Sequence, residues 1–183
     1  MKELADLTEK LSIERPEAWD RLPDMELYRD QVLSYMKRQQ PLQSEETLLT
    51  GAMINNYIKI GLLPRANGKK YTREHLVYLT AVCSLKQILS VGKTDELLKL
   101  QSNILDSKSF YEEYLDIIDR VFNETLQQLD ENGTKEELAA TALQLALSSY
   151  AQKVTCEKLL DLLKEEKPPQ KNKHNKKSKS KTE

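Results

Sequence analysis

Few side chains here are equipped for covalent chemistry, and their spacing is unsuited to catalysis. The 183 residues include two histidines and two cysteines. His75 falls in the first turn of an expected helix and His174 in a lysine-rich stretch, so neither meets a Ser, Cys or Asp set suited to nucleophilic catalysis. Cys83 and Cys156 lie far apart without CxxC spacing, which argues against a disulfide framework or a zinc site and for two buried thiols. The five glycines are scattered and form no phosphate-cradling loop. Acid pairs such as Glu112-Glu113 and Glu136-Glu137 read as solvated or N-terminal helix charges. The inventory points to a protein that is not an enzyme and uses no metal or cofactor.

Recognition chemistry is better represented. In INNYIK, Asn55, Asn56 and Lys59 share the polar side of an expected helix. An asparagine at such a position is able to make paired hydrogen bonds to adenine N6 and N7 in a major groove. Just beyond come Arg65, Lys69, Lys70 and Arg73, cations suited to phosphates. Tyr57 and Tyr71 each carry a hydroxyl able to donate to a phosphate, but Tyr57 shares an apolar stripe with Met53 and is assigned to the core. Charge supports the grouping. Residues 47–93 hold 7 basic side chains against one acid, Glu74, whereas residues 1–46 and 94–166 are net acidic at -4 and -9. A basic island in an acidic body attracts polyanions locally although the whole chain is near neutral. The plainer alternative is a solvated asparagine pair beside solubilising lysines.

The elements that must carry these residues are mostly helices. Leucine-rich 3.6-residue patterning with few glycines and prolines predicts a helix over about 2–13, then a loop that Trp19 pins to the core. Asp24 is expected to cap a helix over 25–39 that ends at Pro41, and the next helix runs from Thr47 to Ile60. Gly61 follows as a left-handed cap. Residues 62–65 and 69–71 flank Asn67-Gly68, a strong hairpin signal. Thr72 opens a helix buried on much of its circumference, stopped by Gly92. Further helices are expected over 94–107, with Ile104 on the apolar side, over 109–132 with Gly133 as its cap, and from a Thr134/Glu137 capping box to about 166. The last two should pack as an antiparallel hairpin, leaving Leu159 and Leu162 for a partner. Lys167 to Glu183 is a polycationic tail without apolar residues.

Helix, basic hairpin, helix is the order of a winged helix-turn-helix, and INNYIKIGLLPRANGKKYTREHLVYL resembles the DNA-binding unit of the MerR family. Ile54, Tyr57, Gly61, Leu62, Leu63, Tyr71, Thr72, Leu76 and Leu79 fall on matching positions. Lys69 stands for the wing arginine, Asn55 for an arginine, Asn56 for a tyrosine and Ile58 for a glutamate. Over about residues 22–163 the chain also resembles a bacterial family known only as a domain of unknown function.

The expected fold is therefore mostly α: an N-terminal helix and loop (1–23), a MerR-like winged helix-turn-helix with a small β-hairpin wing (24–92), a helical dimerisation or sensing module (94–166) and a disordered tail (167–183). The expected function is transcriptional regulation in the cytoplasm by a homodimer on double-stranded DNA, without a membrane partner. Base reading is assigned to Asn55, Asn56 and Lys59, and backbone contacts to Arg65, Lys69, Lys70, Tyr71 and Arg73. Phe110, Tyr111, Tyr114 and Phe122 form the richest aromatic group and the candidate small-molecule effector pocket, with ordinary core packing as the alternative. From a different class comes a helical adaptor that uses the winged fold for protein contacts. An RNA-binding variant also fits.

Overall fold

The computed structural model describes residues 2–39 and 48–165; the helix stop at Pro41, the helix start at Thr47 and the tail from Lys167 lie outside them. Among the described residues the chain is mostly helical: α1 (Lys2–Ile13), α2 (Arg29–Met36), α3 (Gly51–Lys59), α4 (Arg73–Leu85), α5 (Val91–Ser102), α6 (Ser107–Leu126) and α7 (Lys135–Glu165). Strands β1 (Leu27–Tyr28) and β2 (Lys70–Tyr71) form one small antiparallel sheet.

The core is organised around α4. Leu76, Val77, Leu79 and Ala81 are fully buried there, so the helix is covered on most of its circumference, as its apolar pattern predicts. Leu22, Val32, Ile54, Leu63 and Tyr111 join it in one cluster, and Trp19 packs on the edge. Trp19 also meets the Tyr111 ring at 6.4 Å between centroids. The Tyr111 hydroxyl donates to the Glu17 carbonyl at 2.7 Å, which ties α6 to the N-terminal segment.

Several boundaries differ from the sequence pattern for identifiable reasons. Residues 25–28 are not helical: Leu27 and Tyr28 pair with β2, and the Gln31 side chain accepts the Tyr28 N–H at 2.8 Å to close the start of α2. Asp24 is therefore not the cap. The Asn-Gly turn forms, with Gly68 at φ 63° and reciprocal Asn67–Lys70 backbone bonds of 2.9 and 3.0 Å. Its expected strand over 62–65 does not form. Gly61, at φ 80°, lets the Leu62 and Leu63 N–H groups both turn back to the Tyr57 carbonyl, and this consumes the backbone that a hairpin needs. Gly92 lies inside α5 rather than ending α4, because the Ser90 hydroxyl caps α5 by accepting from Lys93 N–H.

The C-terminal half departs most. Helix α6 ends at Leu126, and Gly133 is not its cap. Ile104 is 74% exposed rather than part of an apolar face. The Thr134/Glu137 capping box does form, with Glu137 Oε2 accepting the Thr134 N–H at 2.7 Å and Thr134 Oγ1 accepting the Glu137 N–H at 3.3 Å. Yet α6 and α7 do not pack as a hairpin along their length. Helix α7 lies instead on α5, where Leu160 is buried and the Lys93–Asp161 and Lys164–Glu96 ion pairs form.

Candidate nucleic-acid interface

Helix α3 starts where the Thr50 hydroxyl accepts the Met53 N–H at 3.2 Å. Ile54 and Tyr57 are 0% and 3% exposed, which fixes the rotation of the helix about its axis. Asn55, Asn56 and Lys59 consequently face outward. Among the described residues, neither asparagine side chain makes a hydrogen bond and Lys59 makes no ion pair. The pair is therefore not bracing the turn that follows.

Residues 61–70 follow α3 directly, and the Leu62 and Leu63 N–H groups join them to its end at the Tyr57 carbonyl. Arg65 and Lys69 are exposed. Lys70 is partly engaged: its ammonium lies 3.7 Å from the Glu26 carboxylate and over the Tyr28 ring at 5.9 Å. Glu26 also accepts from Asn67 Nδ2 at 2.9 Å. This acid, brought to the loop by the β1–β2 ladder, was not identifiable as a neighbour in the sequence because the contact is tertiary.

Arg73 and Tyr71 have structural occupations. The Arg73 guanidinium donates to the Leu22 carbonyl at 3.0 Å and lies over the Trp19 ring at 5.2 Å. Tyr71 is 5% exposed and meets the His75 ring edge-on at 5.4 Å. His75 is buried, and its Nδ1 accepts the Thr72 N–H at 3.0 Å, completing the start of α4. Burial pushes its pKa below the ordinary imidazole value; the Pro64 and Arg65 backbone and the Glu74 carboxylate oppose that shift without completing a hydrogen bond at Nε2.

The aromatic group divides. Phe110, Tyr114 and Phe122 line a groove of about 380 Å³ between the end of α4, α5 and α6, together with Leu85, Ile88 and Leu97. Tyr111 is fully buried on the Trp19 side and does not reach the groove. Tyr114 shares a hydrogen bond with Ser84 at 2.8 Å, and burial pushes its hydroxyl pKa up to about 12. Arg15 stacks over Phe122 at 4.7 Å while pairing with Asp119. The α4 and α5 contributions to this groove carry no local sequence signal.

Cys83 is buried as expected, Cys156 is only half-buried, and neither forms a disulfide. No helix among the described residues is long and apolar enough to cross a membrane. Residues 17–115 match a family described as a domain of unknown function, DUF1836. No curated protein and no solved structure matches the chain.

Proposed function

We propose that this chain, which belongs to the DUF1836 family, binds double-stranded DNA with α3 in the major groove and the loop after it on the phosphates. The observation that carries the reading is the outward face of α3: Asn55, Asn56 and Lys59 are exposed and unengaged among the described residues, and the loop that follows the helix carries exposed Arg65 and Lys69. Residues 47–73 contain no acid. A helix with adenine-reading amides beside phosphate-seeking cations has the division of labour that sequence-specific binding needs. The β1–β2 ladder supports it by fastening the end of the loop to the segment that leads into α2, and α2 in turn packs on α3.

In this reading the protein is a transcriptional regulator of the MerR type, and two copies present two α3 helices to paired half-sites. Arg65 and Lys69 hold phosphates; Lys70 contributes in competition with Glu26; Arg73 and Tyr71 shape the surface from behind. The test is selection of bound fragments from random duplexes with purified protein, followed by a salt titration. An enriched motif whose affinity falls steeply with salt supports the proposal. Fragments without a common motif, or binding insensitive to salt, would contradict it.

A further inference from the structure

Among the described residues, two apolar surfaces lack a cover, and they match one another. The first is the groove of about 380 Å³ on α6, which has one charged lining residue, Glu113. Ile117 and Val121, which help to line it, are 42% and 46% exposed. The second is the middle of α7. Residues 138–152 contain no charged side chain in a chain that is 31% charged. Leu143, Leu147 and Tyr150 there are 62%, 59% and 67% exposed. With Val154 they recur at alternating steps of four and three, which keeps them in one stripe. An uncharged helix with a continuous apolar stripe is ordinarily buried.

We propose that α7 of a second copy of this chain lies in the groove, and that the exchange is reciprocal. Length supports the match: at 1.5 Å per residue, Leu143 to Val154 spans about 17 Å, and Phe110 to Phe122 on α6 about 18 Å. Charge supports it too, because the uncharged stretch adds no ion to a groove whose one charged lining residue, Glu113, is itself exposed. Intramolecular cover is disfavoured by rotation. Leu160 is buried against α5, and Leu145 and Cys156 are half-buried on nearly the same side, roughly opposite the stripe. Turning the stripe inward would roll α7 over and break the Lys93–Asp161 and Lys164–Glu96 pairs. A reciprocal exchange fills both grooves and closes with two-fold symmetry, leaving no free half-interface.

The experiment uses the full chain without DNA, so its outcome is independent of the α3 assignment. Light scattering across a concentration series measures the dimer constant for wild type, Leu147→Glu and Val121→Glu, with circular dichroism to confirm helicity. Both positions are exposed, so each variant is expected to fold. Each should weaken the dimer by roughly 30-fold or more, as for a buried interface anchor. Mixing the variants should restore part of the association, because the Val121→Glu chain still offers an intact helix to the intact groove of the Leu147→Glu chain. A monomeric wild type overturns the proposal. So does a dimer that Val121→Glu leaves unchanged, the result expected if α7 pairs only with α7.

Discussion

Leu27 pairs with Tyr71 across the two-residue ladder, with Tyr28 opposite Lys70, so the loop after α3 is fastened to a strand that precedes α2. Glu26, next to that strand, is thereby set against Lys70 and Asn67. It holds a negative charge beside the proposed phosphate contacts. Glu26→Gln removes the charge while keeping an amide oxygen for Asn67. Affinity for any duplex should rise about two- to five-fold at low ionic strength, with the gain shrinking as salt is added. Unchanged affinity in a salt-resolved titration would separate this loop from the DNA.

Arg65 and Lys69 are the exposed loop cations. Changing both to Ala should reduce the slope of log affinity against log salt by about 2, with base preference preserved. A changed preference at equal slope would instead place them at base edges.

The local parts of the fold were legible in the sequence, and the tertiary ones were not. Gly61 and the Thr134/Glu137 box announce themselves because each acts on a backbone within a few residues. The burial of α4 follows from apolar residues all round it. Strand β1 is two residues long and exists only through β2, so Leu27-Tyr28 read as the start of a helix. For the site, Asn55, Asn56 and Lys59 lie on one exposed face as their spacing requires, because Ile54 and Tyr57 fix the opposite one. Arg73 and Tyr71 look like surface cation and donor in sequence, yet Trp19 and His75 claim them. Leu85, Ile88 and Leu97 reach the α6 groove from other elements, which no local pattern records.

His75 makes stability depend on pH. Its folded pKa lies below the ordinary value of about 6.5, chiefly through burial, so the unfolded chain takes up the proton first as pH falls. Its contribution is unchanged above that value and turns destabilising as pH drops below it. His75→Gln keeps an acceptor for the Thr72 N–H and removes the titration. Melting temperature between about pH 7.5 and 5 should fall less steeply for the variant than for wild type. Parallel curves would mean that His75 stays protonated to the same extent in both states.

Tyr111→Phe tests the fastening of α6 to the N-terminal segment. The hydroxyl lost from this fully buried ring is the one that donates to the Glu17 carbonyl, with the Thr80 side chain also within its hydrogen-bonding reach. Stability should drop by about 1–2 kcal/mol in a denaturant titration, with helicity retained. No change would show that water replaces the hydroxyl at Glu17.

The reading of α3 as a base-contacting helix is tested most directly by Asn55→Ala and Asn56→Ala, measured for melting temperature and for affinity to a selected duplex and its scrambled counterpart. Among the described residues neither side chain braces the fold, and Ala is the better helix former, so both variants should melt at or slightly above the wild-type temperature. An asparagine that reads adenine should lose about 1–3 kcal/mol of binding to the selected duplex while the scrambled one is held as before. Variants that melt normally and keep full discrimination between the two duplexes would contradict groove reading by this face.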